Sequence, residues 1–190
     1  MEKKINYKYT KLACYIGYIT QAIVINLAPL FFAIFSDSYG IDNSSLGMLI
    51  LVTFVTQIIT DITAVRLTTR LSMRACATLA HCFAFAGLVL LGILPVIMTD
   101  TFTALLIASI VYSVGGGLIE VVISPIVDAI PVEVTGEQGA AKAAEMSFLH
   151  SFYCWGQMAV VLISTLLLSL IGGDKWMFIP IIWAAVPFVN

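Results

Sequence analysis

Five apolar stretches, each long enough to cross a bilayer, dominate this sequence, and a sixth begins shortly before its last residue. A spanning helix takes about 20 mostly apolar residues, because the hydrocarbon core is about 30 Å thick and each helical residue rises about 1.5 Å. The five runs cover about 12–35, 46–65, 75–98, 102–130 and 144–171, and the sixth, 176–190, is incomplete at 15 residues. Of the 190 residues 61% are hydrophobic and 11% charged, whereas soluble domains hold about 45–50% and about 25%. A soluble fold of this length leaves much of its surface wet and could not hide so much apolar side chain. Lipid is therefore the expected solvent, and the expected fold is an all-α membrane protein, a six-helix bundle over 1–190 whose last helix is cut short.

The connectors 36–45, 66–74, 99–101, 131–143 and 172–175 are short, and Gly, Pro, Asp, Asn and Ser punctuate most of them. Lysine and arginine are unevenly shared. Lys3, Lys4, Lys8 and Lys11 precede the first run, Arg66, Arg70 and Arg74 follow the second, and Lys142 precedes the fifth, while the opposite side has only Lys175. Eight against one predicts a cytoplasmic N-terminus, and the expected location is the plasma membrane. The basic start leads into a run too long for a signal peptide and lacks a small-residue cleavage site, so the first span is expected to remain. A backbone does not stop in mid-bilayer without partners for its last carbonyls. The chain is thus expected to continue into a second half, a natural half-sized protein being the other reading.

Several functions are disfavoured by what the sequence lacks. It has no basic block for nucleic acid. Its four cysteines, Cys14, Cys76, Cys82 and Cys154, form no C-x-x-C pair and no zinc spacing with histidine. No phosphate-binding motif points to ATP, and two histidines on different helices make no catalytic set, so neither an enzyme nor a cofactor is expected.

Polar groups inside lipid cost about 2.5–3.5 kcal/mol each when ionisable and by default mark function. Glu120 lies in GGGLIEVVISP, where the glycines permit close helix approach and Pro125 frees the Val121 carbonyl. Such a carboxyl suits a proton carrier, a hydroxyl acceptor or a structural hydrogen bond to another helix. His150, Tyr153 and Gln157 share one face of the fifth run and suit a polar ligand or interhelical bonds. Asp61, one turn from Gln57, is expected to pair with an arginine of the 66–74 loop or to cap a neighbouring helix. Gln21 and Asn26 are the polar groups of the first run, and Asn26, close before Pro29, could touch substrate or satisfy freed backbone. His81 reads as a packed or interfacial histidine, and Asp128 and Glu133 as gating or solvated charges.

An internal repeat is also visible. The first run carries Gly17, Asn26 and Pro29, and the fourth carries Gly115–Gly117, Glu120 and Pro125. Matched Gly/Pro-interrupted helices point to inverted three-helix repeats around a midplane site.

Six helices, an inward N-terminus and a basic second loop resemble the first half of the major facilitator superfamily. Its loop signature runs G-x-L-x-D-R-x-G-R-R; here Val65–Arg74 matches at Arg70 and Arg74 but not at the glycines or the aspartate. Within that superfamily the chain is most similar to the fucose–proton symporter branch. The stretch from Gly115 to Pro125 fits that branch's glycine-rich helix, with Glu120 on its substrate- and proton-linked glutamate and Ser124 in place of an asparagine. His150, Phe152, Tyr153, Trp155 and Gly156 fall on its Q-x-F-N-x-F-G pattern. An aspartate of the branch's first helix has no acidic counterpart, and Asn26 stands nearest.

The resemblance implies a secondary transporter of a small polar solute, a sugar or related metabolite, coupled to protons by alternating access. Glu120, His150, Tyr153, Gln157, Asn26 and Gln21 would then bind substrate or proton, with Arg70, Arg74 and Asp61 gating the cytoplasmic side. The expected partners are the solute, protons, the bilayer and the chain's own second half. An efflux carrier for drugs or metabolites and a non-transporting membrane sensor stay open beside this reading.

Overall fold

In a computed structural model the chain is described over residues 6–131 and 138–190; Lys3, Lys4 and Glu133 lie outside the described residues. The described residues are helical, with no strand among them: α1 (Lys8–Asn26), α2 (Phe32–Tyr39), α3 (Asn43–Thr68), α4 (Met73–Ile97), α5 (Thr101–Asp128), α6 (Gln138–Ile171) and α7 (Phe178–Val189). Five helical segments have the length and apolar character to cross a membrane: Lys8–Tyr39, Asn43–Thr68, Met73–Ile97, Thr101–Asp128 and Gly139–Ile171. The chain is an all-α, membrane-embedded protein. In α7 the shorter apolar helix Phe178–Val189 begins the sixth run.

α3, α4 and α5 each begin ahead of the apolar stretch they contain, because polar residues start them. Asp42, Ser72 and Asp100 are the N-caps of α3, α4 and α5, and each side chain accepts a backbone N–H of the first turn. Gly40 closes α2 at φ 66°, a left-handed conformation that glycine adopts without steric cost. The two proline expectations differ in outcome. Pro29 interrupts the first span: α1 ends at Asn26 and a 3₁₀ turn, Ala28–Phe31, carries the chain into α2. Pro125, by contrast, sits inside a continuous α5.

α5 is the centre of the bundle. It packs against α4, α3 and α1, while α1 packs against α6 and α4 against α7. Small residues set these spacings. A Cβ added at Gly115 would lie 2.5 Å from the Ala84 backbone nitrogen, and one at Gly87 would lie 2.3 Å from that of Tyr112, so α4 and α5 touch backbone to backbone. The remaining core is large apolar side chains, with Ile23, Leu27, Phe31, Leu88, Leu91 and Leu105 fully buried.

Side-chain ties close both ends. At the end bearing the N-terminus, Lys142 Nζ donates to the carbonyls of Asp128 and Ile130 at the end of α5, and Lys11 pairs with Glu145 between α1 and α6. Asn190 Nδ2 reaches His81 Nε2 at 2.6 Å and the Ala13 carbonyl at 3.0 Å. His81 is buried, as a packed histidine should be, and its Nδ1 donates to Ala77. At the opposite end Trp176 is buried against Phe31 and Phe35 and donates its Nε1–H to Tyr39 Oη.

Candidate functional site

Four helices contribute one face each to a cleft of about 660 Å³. From α1 come Tyr18, Gln21 and Ile25, and from α3 come Phe54, Gln57, Ile58 and Asp61. The lining is completed by Glu120 and Ser124 of α5 with His150, Tyr153 and Cys154 of α6. Each set follows the i, i+3, i+4, i+7 repeat of a single helix face. α4 and α7 take no part and lie behind this layer.

Glu120 is the hub. Its Oε2 accepts from Gln21 Nε2 at 3.0 Å and from Gln57 Nε2 at 3.4 Å, so side chains of α1 and α3 converge on a carboxylate of α5. The three glycines ahead of it make this convergence possible. Gly115 admits α4, as above. A Cβ at Gly116 would meet Val24 at 3.2 Å, and one at Gly117 would meet Asp61 Oδ1 at 2.8 Å and Thr60 Cβ at 3.0 Å. A single glycine run thus receives neighbours from α4, α1 and α3.

A second chain of hydrogen bonds runs across the same lining. Tyr18 Oη lies 2.9 Å from Ser124 Oγ and 3.2 Å from His150 Nε2, and His150 Nδ1 lies 2.7 Å from the Met146 carbonyl. A carbonyl can only accept, so Nδ1 carries a hydrogen. In the neutral ring Nε2 then accepts from Tyr18, whose oxygen accepts in turn from Ser124.

The geometry sorts the expected site residues. Glu120, Gln21, His150 and Tyr153 line the cleft together. Asp61, grouped from the sequence with the loop arginines, stands in the same wall as Glu120, while Arg70 and Arg74 are exposed. Asn26 and Gln157 are not among the lining residues. The Asn26 side chain donates to its own helix at the Ala22 carbonyl, 2.8 Å away, which serves backbone rather than a ligand. Gln157 is exposed on α6, and Cys154 takes the cleft-facing place one residue beyond Tyr153.

Tyr18, Ser124 and Phe54 join the site without having been marked as site residues from the sequence. Each had a signal: Tyr18 precedes Gln21 by three residues, Phe54 precedes Asp61 by seven, and Ser124 follows Glu120 by four, so each shares a helix face with a marked residue. No group of three or more His, Cys, Asp or Glu among the described residues could hold a metal ion. No family model matches the chain, and no match to a curated protein is found.

Proposed function

We propose that this chain is the substrate-binding half of a secondary transporter that moves a small polar solute by proton-coupled alternating access. The observation that carries the reading is the convergence of Glu120, Gln21, Gln57, Asp61, Tyr18 and His150 from four membrane-crossing helices onto one cleft. Ionisable groups are kept within lipid where they face a protein-lined interior and bind or relay something. Glu120 is the group that takes the proton, and Gln21 and Gln57 hold its carboxylate in place.

The helix arrangement supports the major facilitator reading of the fold. The first span packs on the fifth and the fourth on the second, while the first and fourth meet each other and the third meets the sixth. That is the pairing expected when two inverted three-helix units exchange partners about an axis between α1 and α5. The first, second, fourth and fifth spans then line the solute path, and the other two form its outer support. In this reading the N-terminus is cytoplasmic, the membrane is the plasma membrane, and a second half closes over the cleft. Arg70 and Arg74 would serve the cytoplasmic gate.

The test is solute counterflow in proteoliposomes holding the purified protein, run over neutral, cationic and anionic solutes with and without a pH gradient. Exchange of at least one solute class, with accumulation only under the gradient, is expected. Exchange of none would leave the non-transporting sensor as the better reading.

A further inference from the structure

The polar atoms left over in the cleft are acceptors. Glu120 takes hydrogens from two glutamines, yet Gln21 is not fully served. Gln21 is 4% exposed, and with its Nε2 committed to Glu120 its Oε1 has no partner. Asp61 Oδ1 is buried and also has none. That oxygen lies against Gly117, almost one helical turn before Glu120. Two carboxylates and an orphan amide oxygen therefore share one wall, and no lysine or arginine lines the cleft among the described residues. A buried acceptor without a donor costs about 1–3 kcal/mol, and two anionic side chains in one partly desolvated site repel each other. Something that donates hydrogens and carries positive charge would relieve both.

We infer that the solute is a small organic ammonium ion, bound with its N–H groups on Gln21 Oε1, Asp61 and Glu120. The inference rests on the carrier reading and narrows its solute class, away from the neutral sugar that the sequence resemblance implies. A primary ammonium has three hydrogens, one for each of the three acceptor groups. The rest of the wall suits the organic part: Phe54, Ile25 and Ile58 offer apolar contact, and the rings of Tyr18 and Tyr153 offer faces to a cation. A bare inorganic cation would leave most of 660 Å³ unfilled. A cation supplied by another part of the protein would instead complete the charge balance from within and leave the site indifferent to ligand charge.

Paired probes test this. Tyramine and tyrosol share a phenol ring and a two-carbon arm and differ in ending with an ammonium or a hydroxyl. Phenethylamine and phenethyl alcohol form a second pair. Binding of each is measured at neutral pH by equilibrium dialysis of the purified full chain in detergent. The ammonium member is expected to bind at least about tenfold more tightly than its neutral twin, the equivalent of one charge-assisted hydrogen bond. Asp61→Asn is expected to remove about tenfold of the amine affinity and leave that of the alcohol unchanged, with a thermal unfolding midpoint no lower than wild type to show an intact fold. Equal binding of the twins, binding of neither amine, or amine binding indifferent to Asp61→Asn would overturn the assignment. Counterflow separates this failure from failure of the carrier reading: exchange of neutral solutes alone keeps the carrier and discards the ammonium ion, whereas exchange of no solute discards the carrier.

Discussion

Gln21 Nε2 donates to Glu120 Oε2 across 3.0 Å, and this bond ties α1 to α5 at the floor of the cleft. A neutral amide holds the carboxylate without cancelling its charge, which leaves the group free to exchange a proton or meet a cation. Gln21→Leu removes the donor while keeping most of the volume. The lost bond to a charged group costs about 1.5 kcal/mol and removal of the unpartnered Oε1 returns about as much, so the unfolding free energy is expected to change by less than about 1 kcal/mol. Unfolding titrations of wild type and variant in mixed micelles measure the difference.

Packing of α4 on α5 makes a sharper stability prediction. Gly115→Ala drives a methyl group to within 2.5 Å of the Ala84 backbone, where no side chain can swing away. A cost of about 1–3 kcal/mol is expected from such overpacking. Gly47→Ala in α3 is the control, because nothing lies within 4 Å of the added Cβ. It is expected to be neutral or to stabilise by about 0.5–1 kcal/mol through helix propensity. The same titrations report both, and similar losses at the two positions would contradict the packing.

Native cysteines report on which surfaces are open. Cys154 is exposed and lines the cleft, whereas Cys14 and Cys76 are buried. A membrane-impermeant maleimide is expected to modify Cys154 and spare Cys14 and Cys76, as read by mass spectrometry of peptides from intact proteoliposomes. Cys154→Ser should then abolish labelling at that site and leave the spared pair spared.

The caps outside the spans give the pH dependence. Asp100 accepts from Thr103 Oγ1 at 2.5 Å and from the backbone N–H groups of Phe102 and Thr103 at 3.1 and 3.3 Å. These bonds, the Thr103 hydroxyl foremost, hold its carboxyl below the ordinary 3.8. The cap's contribution is therefore complete above that ordinary value and disappears as pH falls through the depressed one. Amide protection in the first turn of α5, taken relative to the intrinsic exchange rate at each pH, is expected to fall on acidification below about pH 4 in wild type. Asp100→Ala should show the lowered protection at every pH.

Much of this architecture was legible because lipid imposes simple rules. Runs of about 20 apolar residues specify helices, and an ionised group within one is conspicuous, so the five spans and Glu120 could both be read directly. The partners of Glu120 could not. The apolar run ends at 65, which sets Asp61 near the loop arginines, whereas α3 continues to Thr68 and turns Asp61 toward α5. Asn26 spends its amide on a carbonyl four residues back, a local bond available to any helical asparagine and invisible in hydropathy. On α6 the stripe 150, 153, 157 and the stripe 150, 153, 154 fit a helix equally well. The packing of α6 on α1 decides between them, with Gly156 set against Ile19 and Ala22. Tyr18 costs nothing in an apolar stretch, and its hydroxyl acquires meaning only beside Ser124 and His150.

Gradient-driven uptake by Glu120→Gln is the most direct measurement of whether this cleft is the working centre of a carrier. The substitution keeps the side chain's size and its capacity to accept from Gln21 and Gln57, and removes the carboxylate's charge together with its exchangeable proton. Accumulation under a pH gradient should fall to the level of protein-free vesicles, with expression and insertion unchanged. Undiminished accumulation by a normally inserted variant would contradict the role of Glu120 and the cleft built around it.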